Sequence, residues 1–249
     1  MQSVISDKLK LRYRPVALLF ADQKPVGALE FKDGKWGCVV AMFTAAARGR
    51  VAAFSRDTCG CPGGRIGLGF TDDYSHVPGG IEHFLSTGRG EGYPEGEAYI
   101  KTPELAKDFV EQLPRTCIPT EYIVVKPLDD VDPEVEEPKL IVFFVTPDQL
   151  SALVVLANYG RKGGQNVIIP FGAGCHTVCL IPYDESQKEQ PKAVVGVTDI
   201  SARPFVDADM LTFTVPFSMF QEMEANVPGS FLEKESWKKV RARIPDPLQ

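Results

Sequence analysis

The chain has 249 residues, a net charge of −6, 44% hydrophobic and 24% charged residues, a composition typical of soluble globular proteins and long enough to bury a large core as one big domain or two small ones. The negative balance argues against a nucleic-acid binder, which shows a basic face or stripe. No apolar run reaches bilayer-spanning length, and "MQSVISDKLKLRYRP" lacks the apolar core and cleavage site of a signal peptide, so the expected setting is the cytoplasm.

The first strand signal is "RPVALLFAD" (14–22), a short apolar run bounded by proline and aspartate. An apolar helix, "CVVAMFTAAARG", follows and ends at Gly49, where glycine accepts the left-handed backbone that closes a helix. Next come a strand, "RVAAFS", and the stretch "DTCGCPGGRIGLGF" (57–70), with two cysteines one residue apart, a proline and a run of glycines. Residues 71–96 are polar and glycine-rich, and read as an insertion that is either a lid over a site or a plain surface loop. "EAYIKTPELAKDFVEQLP" (97–114) reads as a strand, then a helix opened and closed by prolines. The acidic, proline-rich "PLDDVDPEVEEP" (127–138) suits an exposed connection.

The same order then recurs. "PKLIVFFVT" (138–146) is a strand, "LSALVVLANYG" a helix ending at Gly160, "QNVIIPF" a strand, "GAGCHTV" a glycine turn with a cysteine, and "MLTFTVPFSMFQEMEANVP" (210–228) a strand and helix. Gly49 and Gly160, Cys61 and Cys175, Pro103 and Pro216, and Pro114 and Pro228 keep one separation to within about three residues, the mark of a repeated architecture. The expected fold is α/β or α+β, with two pseudo-symmetric strand–helix–strand halves packed as one globular unit. Residues 1–126 form the first half with its insertion, 127–138 the connection, and 139–249 the second half, whose basic tail "WKKVRAR" (Trp237–Arg243) reads as a solvated helix face. A pseudo-twofold axis would bring the equivalent turns of Cys61 and Cys175 to the seam.

In a reducing compartment six cysteines are not expected to form a disulfide frame, and clustered thiols suggest metal or redox chemistry. Cys38 opens the first helix, where the dipole and free amides favour a thiolate. Cys61 precedes a proline and two glycines, Gly63 and Gly64, which let backbone amides approach a ligand. Cys59 completes a C-x-C pair, and Cys175 is flanked by glycine and His176. Cys117 and Cys179, in apolar strand-like contexts, read as core thiols. Thiolates from separate segments fit an iron–sulfur cluster, or alternatively zinc, better than a lone nucleophile, whose histidine base is hard to place when adjacent residues on an extended strand face opposite ways.

Two rival readings stand beside this one. The first is a metal-free module holding a small organic anion, with Arg65 or Arg203 as anchor. The second is a thiol enzyme using Cys61. The glycine string "GGRIGLGF" matches neither a P-loop nor a dinucleotide fingerprint. The sequence shows no reaction. A small molecule or a redox partner would be the natural associate, and a homodimer is the default assembly.

"RPVALLF", "GCVVAMFTAAARG", "CPGGRIGLGF", "STGRGEGYPEGEAYIKTPELAKDFVEQLP", "GAGCHTV" and "FTVPFSMFQEM" together resemble the prokaryotic domain of unknown function 169 family, common in archaea and anaerobic bacteria. The resemblance implies that cysteines recur at the positions of Cys38, Cys61 and Cys175, while Cys59 lies outside the usual pattern. With three matched thiols, a cluster would have an open iron, a substrate ligand or a non-cysteine fourth ligand. Activity is unassigned in that family.

Overall fold

The computed structural model describes residues 1–32, 35–92 and 94–246; Tyr93 of the expected insertion and the last three residues of the expected second half lie outside the described residues. Ser3 opens α1 (Val4–Leu9), its hydroxyl accepting the Ser6 N–H at 3.1 Å. Then come β1 (Val16–Ala21), α2 (Val39–Ala47), β2 (Ala52–Ser55) and α3 (Pro62–Gly67). Two short helices, α4 (Ile81–Leu85) and α5 (Pro103–Glu111), precede β3 (Tyr122–Pro127). After β3 come β4 (Leu140–Val145), α6 (Pro147–Tyr159), β5 (Val167–Ile168), a π-helical turn (His176–Leu180), α7 (Ile181–Ser186), β6 (Ala193–Gly196), β7 (Leu211–Pro216), α8 (Phe217–Ala225) and α9 (Glu235–Arg241).

All seven strands join one sheet in the order β2-β3-β1-β4-β7-β6-β5. Neighbours are antiparallel except β5 and β6. The protein is thus a mixed α/β fold with, among the described residues, nine α-helices. At the sheet centre β1 pairs with β4, from Val16 opposite Val142 to Leu18 opposite Leu140, so strands from the N-terminal and C-terminal parts of the chain share one sheet.

Successive strand residues face opposite sides of a sheet, and here both sides are covered, which is why "VALLFA" and "LIVFFV" are apolar without alternation. Ala17, Leu19, Ile141, Phe143, Phe213 and Val215 pack under α1, α6, α8 and α9. Val16, Leu18, Val142 and Phe144 face the opposite core with α2 and the cysteine-bearing turns. Cys38, Cys59, Cys61, Cys175 and Cys179 therefore all belong to that one side of the sheet.

Glu224 of α8 ties α1 down, accepting from Ser3 Oγ at 2.5 Å and from the Val4 and Ile5 amides at 3.0 and 3.4 Å. Three donors on one partly buried carboxylate predict that Glu224→Ala costs about 2 kcal/mol in chemical denaturation. It should also speed proteolysis at the N-terminus; an unchanged midpoint would show that α1 is held by packing alone.

Several local expectations are corrected. Residues 97–102 form no strand, because Ala98 takes a left-handed conformation (φ 52°) that breaks an extended run. "QNVIIPF" pairs only through Val167–Ile168 and stops before Pro170, which has no N–H for the ladder. Gly49 closes α2 with φ 96°, as expected, whereas Gly160 closes α6 at φ −99°, where a Cβ would crowd Asn226. The connection is not wholly exposed: Leu128 and Val131 are buried in the core. Among the described residues no helix is long and apolar enough to cross a membrane.

Candidate functional site

Cys38, Cys59, Cys61 and Cys175 lie on the α2 side of the sheet and pack in or against the same core, although Cys175 is far from the others in sequence. Cys38 is the extended residue before α2, and Cys61 the extended residue before α3. Cys175 immediately precedes the π-helical turn, a distortion that recurs at functional sites. Cys59 and Cys175 are buried, Cys38 and Cys61 half-buried. Among the described residues all six cysteines are free thiols.

Two glycines permit this approach. A side chain at Gly60 would run into the Lys35 carbonyl, so the missing Cβ lets the segment leading to Cys38 lie on the C-G-C turn. A Cβ at Gly67 would collide with the Cys175 sulfur and lie 2.8 Å from its Cβ, so α3 can touch the π-helical turn only with glycine there.

The Cys61 sulfur accepts the Gly64 N–H at 3.3 Å. The Cys175 thiol donates to the Gly63 carbonyl at 3.4 Å and lies 3.6 Å from His176 Nδ1. On the far side of that ring, Tyr74 Oη is 3.2 Å from Nε2. Asp199, buried nearby, accepts the Gly174 N–H at 3.0 Å and the Ser201 N–H at 3.0 Å, which holds the loop just ahead of Cys175.

Burial dominates the electrostatics. It pushes the Cys175 thiol well above its ordinary range, and the charges of Cys61, Cys38, Asp199 and Cys59 add in the same direction. Burial likewise raises Cys38, against the pull of the Ala41 and Val40 amides, and Cys61, against those of Gly64 and Gly63. Cys59 is pushed up to about 11 by burial. His176 goes the other way, down to about 4, because burial disfavours the imidazolium. Burial also keeps the Tyr74 hydroxyl protonated.

Cys179 stands apart: it is buried, points its thiol at the Leu68 carbonyl at 3.8 Å and is pushed up to about 12 by burial alone. Cys117, expected in the core, is exposed. The strand expected through Cys175 and His176 is helical, which places the ring beside the sulfur rather than across a sheet. Two open clefts, of about 1,070 and 890 Å³, lie elsewhere; one is lined by Lys10, Arg12, Arg14 and Arg48, the other by Arg89, Tyr99 and Lys101, and neither by a thiol. Among the described residues no three or more His, Cys, Asp or Glu side chains are arranged to hold a metal ion.

A family model, DUF169, described as uncharacterised ArCR, matches residues 4–226, a span that takes in every one of these groups. The chain belongs to the DUF169 family. No curated protein and no solved structure matches it.

In this DUF169 protein the two arginines singled out from the sequence serve the backbone. Arg65 donates twice to the Arg56 carbonyl, at 3.2 and 2.6 Å. Arg203 donates to the carbonyls of Asp207, Ala208 and Met210. Gly63 and Gly64 lie in the first turn of α3 beside the thiols. Sequence reasoning missed Asp199 and Tyr74. The D-x-S spacing of Asp199 and Ser201 is an Asx-turn signal that could have marked the first; Tyr74 has no local signal at all.

Proposed function

We propose that this protein holds a thiophilic centre, an iron–sulfur cluster or a single soft metal ion, through Cys38, Cys61 and Cys175, with Cys59 beside them. The observation that carries this reading is that Cys38, Cys59 and Cys61, with Asp199, lie close enough to the buried Cys175 to act on its charge, which brings thiols of three separate segments to one side of the sheet. Burial and crowding disfavour the ionised forms of these thiols, and a cation removes that penalty. Soft thiolate donors select zinc, copper(I) or iron–sulfur clusters over hard cations. A bound cluster would supply electron transfer, or a Lewis acid at an iron without a cysteine. Loading would require these side chains to rearrange, since among the described residues no three of them are arranged to hold a metal ion. A reducing, cytoplasmic setting belongs to the same reading, since it keeps six cysteines as thiols. So does the doubled unit, supported by the pairing of β1 with β4 and by the helical turns that follow both Cys61 and Cys175.

The rival readings have less support. An activated cysteine nucleophile needs a lowered pKa, and these thiols are raised. An organic anion would have to compete with backbone carbonyls for Arg65 and Arg203.

Anaerobic purification, followed by iron and sulfide analysis, a visible spectrum and a titration with Co(II), tests the proposal. Sulfur-to-metal absorption in the wild type that falls at least tenfold in Cys61→Ser and Cys175→Ser supports it. An iron-free, colourless protein that gives no such absorption with Co(II) overturns it.

Gly63 provides a separate check. It has no positive φ, and a Cβ there would meet nothing within 4 Å, so neither backbone strain nor packing requires glycine. Gly63→Ala is therefore expected to stabilise the metal-free protein by about 0.5 kcal/mol, through the lost freedom of the unfolded chain. Chemical denaturation measures the gain, and a loss of stability would mean that the added carbon meets a neighbour after all.

A further inference from the structure

Tyr74, His176, Cys175 and Gly63 lie in series. Tyr74 Oη is 3.2 Å from His176 Nε2, His176 Nδ1 is 3.6 Å from Cys175 Sγ, and that sulfur is 3.4 Å from the Gly63 carbonyl oxygen. The last contact sets the direction of the series. A carbonyl has no proton to give, so the Cys175 S–H must point at it. The sulfur then meets Nδ1 with lone pairs only, and Nδ1 must carry the ring proton. A neutral imidazole has a single N–H, which leaves Nε2 bare to accept from the Tyr74 hydroxyl. Reversing the order would leave the Gly63 carbonyl without this donor and the Tyr74 O–H without this acceptor.

We propose that Tyr74 and His176 form a one-way hydrogen-bond chain that gives the Cys175 sulfur a permanent N–H donor, which makes Tyr74 a positioning residue of the thiol site. This rests on the reading of that site given above and deepens it. When Cys175 loses its proton to become a ligand, its bond to Gly63 goes, but the Nδ1–H donor remains. A hydrogen bond to a ligating sulfur draws off electron density and tunes the bound centre. The stretch from residue 71 onward, read from the sequence as a lid or a bland loop, thereby gains a specific role, because its tyrosine donates to the bare Nε2 and completes the chain that the Gly63 contact orients.

Histidine-selective ¹⁵N labelling of the reduced, metal-free protein tests the chain directly, because the sequence holds only three histidines. Long-range ¹H–¹⁵N spectra separate the two tautomers, and His176→Gln assigns the signal. The wild type should show His176 with its proton on Nδ1. Tyr74→Phe keeps the Gly63 contact and should keep the proton on Nδ1, but the bare Nε2 loses its donor and its ¹⁵N signal should shift, while the His76 and His83 signals stay in place, which reports that the variant is folded. An Nε2–H tautomer in the wild type overturns the proposal, and so does an unshifted His176 Nε2 signal in Tyr74→Phe. Co(II) alone gives the second readout. The sulfur-to-cobalt band should shift in Tyr74→Phe and be lost in Cys175→Ser; an unshifted band overturns the positioning role. A wild type that shows the Nδ1–H tautomer but no cobalt band supports the chain and overturns the metal reading instead.

Discussion

Gly67→Ala is expected to destabilise the protein by about 3 kcal/mol, against the sign of its helix propensity. In a helix alanine is the better residue by about 1 kcal/mol, so a gain would be the naive expectation. Here the added carbon would strike the Cys175 sulfur and come within 2.8 Å of its Cβ and 3.0 Å of its carbonyl carbon. Cys175 has little room to retreat. The Gly174 N–H before it is bound to Asp199, and the Thr177 N–H after it donates to Ala173 at 3.1 Å. Chemical denaturation measures the loss, and a thiol-titrating reagent should find the buried Cys175 newly accessible. Gly60→Ala should act in the same sense, since its Cβ meets main chain at Lys35. A Gly67→Ala protein as stable as the wild type, with Cys175 still shielded, would mean that α3 and the π-helical turn are not in contact.

Acid is expected to remove about 3 kcal/mol of stability from the metal-free protein through His176 alone. Burial lowers this histidine from an ordinary 6.5 to about 4 in the folded chain. Between those values the unfolded chain binds a proton that the folded one refuses, so acid favours unfolding. The contribution is fully present above pH 6.5 and is lost as the pH falls through about 4. Urea midpoints at neutral and acid pH, in the presence of a chelator and a reductant, measure the slope. His176→Gln has no proton to take up and should be less stable at neutral pH but flatter with acid. The carboxylates, Asp207 among them, are common to both proteins and cancel in the comparison. Parallel slopes in wild type and variant would show that the ring is not buried in the neutral form.

The thiol site divides the same way between what a local pattern can carry and what it cannot. Cys38, Cys61 and Cys175 could be picked out as a set because each announces itself nearby, by a helix start, a C-P-G-G turn or a glycine pair. Cys117 read as a core thiol from the strand-like "RTCIP", but in the fold it is Ile118 that is buried and Cys117 that is exposed. The segment "EAYIK" read as a strand on composition, yet Ala98 breaks the extension and Tyr99 packs edge-on to Phe171 instead of joining a ladder. The helical turn at His176 was invisible for a related reason. "CHTVCLI" is β-branched and apolar, and its conformation is set by the loop that Asp199 holds and by the α3 surface it packs against.

From the residues alone came whatever depends on near neighbours: the apolar runs of β1 and β4, the helices that follow them, the glycine close of α2, and the short list of candidate thiols. Only the tertiary structure decided which thiols meet, that Asp199 stands among them, and that Tyr74 reaches His176. Periodicity and turn chemistry act over a few residues and are written in order along the chain. Burial and contact between residues 63, 74, 175 and 199 exist only once the sheet has brought four separate loops to one place.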